Sequence, residues 1–251
     1  MRDLLQTLPV IERARGFRLY GGGRRFVDLW QCGGAAIMGH KAAGVVRCMK
    51  NTAERGLFSP LPSTAGRRFT QALERLFPDK SFKVYADWSV VPNYKKLPVW
   101  RPFCPAEFLD NIQKARAFRP ILPFPLAPAV IVCGKTFSDK YPPAGFVSPL
   151  LLAAAARAVY DMLACPERGF MRLKLIKKTF EQPETQKNWR LEGIYIYPAR
   201  KNAAKNWGAY FRGFADGGFM LPPGPDEPII LPDELSKGEE VALSKLLPRR
   251  F

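Results

Sequence analysis

The stretch AVIVCGKTFSD, residues 129–139, ends an apolar run at Gly134-Lys135-Thr136. A lysine just past a buried strand can hold a phosphate as a point charge, or it can form an imine with a carbonyl. A nucleotide-binding loop also needs a glycine five residues before Gly134. That position is Ala129, which excludes such a loop. Imine chemistry needs an amine that loses its proton, through burial or through a cationic neighbour such as Lys140. Flanked by Thr136, Ser138 and Asp139, Lys135 also reads as the polar end of a strand and nothing more. His40 is the single histidine, so multi-histidine metal sites are excluded and any Ser/His/Asp or Cys/His device depends on it. No carboxylate is adjacent to it in sequence, and a structural hydrogen bond is its expected role. The five cysteines (Cys32, Cys48, Cys104, Cys133, Cys165) are odd in number and lack a CxxC pair. Neither a zinc site nor a disulfide framework is expected; most should be buried small hydrophobes in a reducing compartment.

The elements that must position these residues alternate between strand and helix. Phe17–Tyr20 and Arg25–Leu29 read as a hairpin closed by Gly21-Gly22-Gly23. A helix is expected over residues 42–55, with Val45, Val46, Met49 and Ala53 on one face. A second is expected over 64–77, capped by Ser63 or Thr64, with Phe69, Leu73, Leu76 and Phe77 at helical spacing. Eight prolines fall within residues 87–128 and predict ordered loop or short edge strands, with Ala106–Phe118 as the one candidate helix. Val130–Cys133 then reads as a buried strand, and PLLLAAAARAVYDML (149–163) as a helix apolar nearly all round. Further helices are expected over 170–181 and 203–216, the latter turning Trp207, Phe211 and Phe214 inward. Strands are expected over 193–199, 219–221 and 229–231. Ser236-Lys237-Gly238-Glu239 is a capping box that opens a last helix, with Val241, Leu246 and Leu247 inward. The order is that of an α/β protein without internal repeats.

Two blocks together resemble the class III, pyridoxal-phosphate-dependent aminotransferases. The first is GFRLYGGGRRFVDLWQCGGAAIMGHKAAGVVRCMKNTAERGLFSPLPS. It has the hairpin ending in an aspartate (Val27-Asp28-Leu29), then glycines (Gly33-Gly34), a Met38-Gly39-His40 turn and a helix. In the second, FVSPLLLAAAARAVYDML looks like the family's Asn-Pro-Leu helix, and YFRGFADGGFMLPPGPDEPIILPDELSKGEE looks like its closing segment. The resemblance implies a reduced fold-type-I architecture. Residues 1–62 and 149–251 would form a small α+β domain from both chain ends, around a shortened large-domain segment, 63–148. It also implies that Lys135 is the Schiff-base lysine, that Ser89 stands where the phosphate-binding turn would be, and that Asp110 is the nearest candidate for the pyridine-nitrogen partner. Arg67 or Arg101 would hold substrate carboxylates.

The departures from the family pattern bear on function. VYADWSVVPNY carries Ser89 without the glycine and threonine that should follow it, and Pro92 disfavours the helix whose N-terminus would cradle a phosphate. The Asp-Glu-Val strand is absent, and Asp110 sits in EFLDNIQKA, which reads as helical. A member that has lost most of its cofactor machinery is therefore expected, a non-catalytic homologue that binds a ligand or partner, with no cofactor. The alternative is a minimal pyridoxal-phosphate-dependent aminotransferase using Lys135.

Charge and composition bound the remaining classes. The 251-residue chain is 47% hydrophobic and carries a formal charge of +17. It is long enough for a packed core, has no apolar run that could span a bilayer, and shows no secretory leader, so a cytoplasmic protein is expected. The positive field attracts acidic partners, and a small anionic ligand is among those expected. Nucleic-acid binding through scattered basic pairs and exposed Trp88, Trp100 and Trp189 is a further alternative, without a recognition motif behind it. The apolar side chains of LLQTLPVIERARGF predict a homodimer.

Overall fold

The computed structural model describes residues 2–56, 61–91, 93–103, 115–122, 127–143, 145–165, 173–199 and 205–251. In chain order the first elements are α1 (Arg2–Leu5), β1 (Arg13–Arg15), β2 (Arg18–Gly21), β3 (Arg24–Asp28), α2 (Ala43–Glu54) and α3 (Thr64–Leu76). There follow β4 (Ser81–Tyr85), β5 (Val99–Trp100), β6 (Arg116–Phe118), β7 (Ala129–Cys133) and α4 (Pro149–Leu163). The last are α5 (Lys174–Phe180), α6 (Pro183–Asn188), β8 (Trp189–Glu192), β9 (Tyr195–Pro198), α7 (Trp207–Asp216), β10 (Phe219–Met220), β11 (Ile229–Ile230) and α8 (Lys237–Leu246). The chain folds as two compact units, residues 1–40 with 167–251, and residues 41–166.

In the unit built from both ends, β2 and β3 form the expected hairpin, turning at Gly22 and Gly23. Both have positive φ, a conformation that costs glycine little. β1 pairs with β2, and β10 joins β3 in parallel, Phe219 opposite Val27 and Met220 opposite Asp28. A second sheet has the order β11-β9-β8. The backbone N–H of Ile230 donates to the carbonyl of Leu29 at 2.7 Å and ties the two sheets together. The core centres on Trp189, whose ring meets Trp207, Tyr210 and Phe214 edge-on at centroid distances of 5.4–6.2 Å. Its indole N–H donates to the Leu247 carbonyl, so the buried polar atom is satisfied. The capping box is present: the Ser236 hydroxyl accepts from Glu239 N–H, and the Glu239 carboxylate accepts from Ser236 N–H. Val241, expected inward, is exposed; Leu243 takes its place in the core with Leu246 and Leu247.

In the unit of residues 41–166, helices α2 and α3 both pack on α4, whose run of alanines permits close approach. Its sheet has the order β4-β7-β6-β5. β7 is buried at all five positions, as the uninterrupted apolar sequence AVIVC requires of a central strand. Arg116–Phe118, expected as the end of the candidate helix Ala106–Phe118, is instead strand β6 beside β7. Phe118 there meets Phe77 and Trp100 edge-on, and this aromatic burial favours the strand. Ser63 occupies the N-cap of α3, but its side chain makes no capping bond.

Expectations for single side chains are corrected in two places. Among the described cysteines only Cys133 is buried, while Cys32 and Cys165 are exposed and Cys48 is intermediate; Cys104 lies outside the described residues. Trp189 and Trp100 are core residues, 1% and 7% exposed, and neither can stack on a nucleobase. No helix among the described residues is long and apolar enough to cross a membrane.

Candidate functional site

Lys135 opens a 3-10 run, Lys135–Lys140, directly after β7, and its side chain is exposed. The chain then returns along β4, where the Lys83 ammonium donates to the carbonyl of Tyr141 and the Tyr85 hydroxyl to that of Pro142. Ser89 lies in the turn that follows β4. Its backbone N–H donates to the Asp87 carboxylate at 2.6 Å, and hydrogen bonds from the Ser89 side chain first and its backbone second hold the Asp87 carboxyl below its ordinary range. β4 and β7 are antiparallel, Ser81 opposite Cys133 and Tyr85 opposite Ala129. The chain therefore leaves toward Ser89 at one end of the pair and toward Lys135 at the other, ends separated by about 13 Å of strand. The register does not bring these two residues together. Asp110 lies outside the described residues. Arg67 is exposed on α3, and Arg101 follows β5.

His40 makes the hydrogen bond expected of it, to a partner that sequence adjacency did not identify. Its Nε2 is 2.8 Å from Oδ2 of Asp28, the residue that ends β3. Asp28 is fully buried, and its other oxygen accepts from the backbone N–H groups of Trp30 and Gln31 at 2.9 and 2.7 Å. These bonds anchor a turn, Gln31-Cys32-Gly33-Gly34, in which four successive residues have positive φ. Two of the four are not glycine, a strained arrangement that persists only where its surroundings hold it. The pair borders a cavity of about 520 Å³ whose walls include Leu8, Leu19, Trp30, Cys32 and Met220. Although Cys32 as a residue is exposed, protein atoms crowd its thiol, and that desolvation first, then the Asp28 and Glu227 carboxylates, push it up to about 11. That direction favours the thiol over the thiolate.

The other concavity lies in the unit of residues 41–166, where α2, α3 and α4 meet around a cleft of about 470 Å³. Arg47 on α2 and Arg55 at its C-cap stand over it, with Arg68 on α3 and Arg157 on α4. Sequence reasoning missed this gathering, because the four arginines come from three separate helices. Its one visible trace was the Arg47, Asn51, Arg55 repeat, spaced at four residues along α2. No group of three or more metal-ligating side chains occurs among the described residues.

No family model matches the chain. An uncharacterized protein of Treponema pallidum is 28% identical over 287 aligned positions, covering 92% of this chain and 91% of that protein. A Borreliella burgdorferi protein, also uncharacterized, is 41% identical over 75 residues, 30% of this chain and 28% of its own length. Among solved structures, the Plasmodium falciparum ornithine δ-aminotransferase has a TM-score of 0.68 at 13% identity, with 99% of this chain and 96% of that one covered. The N-acetylornithine aminotransferase of Stenotrophomonas maltophilia K279a has 0.68 at 14%, covering 99% and 97%. A Pseudomonas aeruginosa glutamate-1-semialdehyde aminomutase in complex with PMP has 0.65 at 13%, covering 96% and 86%. At these identities the likeness defines the fold: the chain has the mixed α/β fold of the aminotransferases, as the two sequence blocks implied.

Proposed function

We propose that the protein is a non-catalytic, ligand-binding member of the aminotransferase fold, one that has lost most of the pyridoxal phosphate machinery. The observation that carries this reading is the Asp87 carboxylate on the Ser89 amide. A phosphate-binding turn offers its backbone N–H groups to the anion at a helix N-terminus. Here the N–H is already taken by a negative group, which also repels a phosphate. The lysine that would form the imine stands past the far end of the β4–β7 pair, exposed to water. Pyridoxal phosphate does not fit these residues together. The alternative, a minimal aminotransferase using Lys135, makes the opposite prediction. Purified protein incubated with pyridoxal phosphate is expected to show no stable visible imine band, and wild type and Lys135→Ala should be labelled equally and slowly on borohydride addition. A stoichiometric band in wild type that Lys135→Ala abolishes would overturn the reading.

The same reading takes a homodimer as its assembly. Val10, 84% exposed, and Ile11 beside it leave apolar surface that a symmetric interface would cover. Light scattering at micromolar concentration should give twice the chain mass; monomer alone would remove the dimer.

A further inference from the structure

We infer that the cleft between α2, α3 and α4 binds a compact molecule carrying at least two anionic groups, phosphate or carboxylate. The inference rests on the binding-protein reading above and names the site and the ligand class.

The charge distribution carries the argument. Four guanidinium groups surround one hollow, and no carboxylate is among the described residues that line it. Arg157 alone has a counter-charge, Asp161 one turn further along α4 at 2.8 Å. Arg47, Arg55 and Arg68 form no ion pair with any described residue. Gathering like charges around a concavity is unfavourable in the empty protein, and an anion in the hollow reverses the sign of every one of those interactions. All four arginines are exposed, and all four border the same hollow. A fifth guanidinium, Arg75, lies over the ring of Tyr160 in the same wall, 5.4 Å from its centroid.

The shape is built for this as well. Ala153 and Ala156 form a floor of small side chains on α4, so the hollow exists because nothing bulky fills it. A Cβ at Gly44 would come within 2.7 Å of the Asp161 carboxylate and 2.9 Å of the Arg157 guanidinium. The glycine therefore lets that ion pair lie against α2 and keeps Arg157 at the cleft. All four cations are arginine, whose planar fork matches phosphate and carboxylate in two-point contacts that a lysine does not make. The exposed amides of Asn51 and Gln71 add neutral hydrogen-bonding groups at the rim. The volume, about 470 Å³, falls in the range of small-molecule sites, roughly 300–1,000 Å³. A nucleic-acid backbone would require basic groups along a track, whereas these surround a single hollow.

Titration calorimetry on the full chain, with inorganic pyrophosphate and separately with citrate at low salt, tests the inference. One saturable site is expected for at least one of them, and the preferred anion distinguishes a phosphorylated from a polycarboxylate ligand. Arg47→Ala with Arg68→Ala should weaken binding tenfold or more. Arg249→Ala with Arg250→Ala, which removes the same charge from the other unit, should change it less than twofold. Arg47→Gln with Arg68→Gln repeats the test at nearly unchanged volume should the alanine pair melt early. No saturable binding of either anion, or equal weakening by the two charge-matched pairs, overturns the inference. So does binding of a single-stranded oligonucleotide that neither anion displaces. The imine band is read separately: anion binding beside a Lys135 imine leaves the cleft standing and sinks the non-catalytic reading, while neither signal does the reverse.

Discussion

Glu239 shows how much one carboxylate can hold. It caps the first turn of α8 and receives two hydrogen bonds from the Arg18 guanidinium, at 2.9 and 2.7 Å, with Arg25 a further 3.3 Å away. It is 8% exposed. Burial alone would raise its pKa, but Arg18 and the backbone N–H of Ser236 outweigh that and bring it down to about 2. A carboxyl depressed in the folded state adds stability that is fully present above its unfolded pKa, near 4.5, and is lost as pH falls through about 2. The gain at neutral pH is at most about 3 kcal/mol. Glu239→Gln should lose on the order of 2–3 kcal/mol in urea unfolding at pH 7, since it also leaves Arg18 without its counter-charge. Unfolding followed from pH 6 to pH 2 should show the two proteins converging; parallel curves would mean that Glu239 is not the group responsible.

Legibility differed by element, for physical reasons. Helix α4 was readable to the residue, because its fifteen residues, apolar save for a few positions such as Arg157 and Asp161, begin at a proline. The hairpin β2–β3 and the capping box of α8 were equally plain, since glycine pairs and Ser-x-x-Glu act locally. Strand β6 was not, because three residues in a proline-rich stretch owe their conformation to β7 beside them. The functional residues divide in the same way. Lys135 could be placed at the end of β7 from its own neighbours, and the Asp28–His40 pair lay inside a block already recognised. What joins Asp28 to His40 is a turn of positive-φ residues, two of them not glycine, which no local propensity predicts. The arginine cleft was least visible of all. Its members share a site only because α2 and α3 both dock on α4, a tertiary fact that pattern along one helix cannot carry.

At the scale of the molecule, the unit containing β3 and β10 is interrupted in sequence by the other, residues 41–166. That arrangement has a consequence in time. Val27 and Asp28 wait for Phe219 and Met220, about 190 residues later, to complete their side of the sheet. At ribosomal rates of roughly 5–20 residues per second, the wait is on the order of 10–40 s. During it, the nascent hairpin offers an open strand edge and the uncovered side chains of Phe26, Val27 and Leu29, while within residues 41–166 the strands β4–β7 already pair with one another and α2 and α3 already have α4. Synthesis should therefore mature the middle of the chain before its beginning. In ribosome-bound chains arrested near about residue 200, residues 41–166 are expected to resist brief proteolysis while residues 13–28 are cut. Protection of the hairpin in those arrested chains would show that it stands without β10. If it does not, the interval between the two is when this protein is most exposed to chaperones and to aggregation.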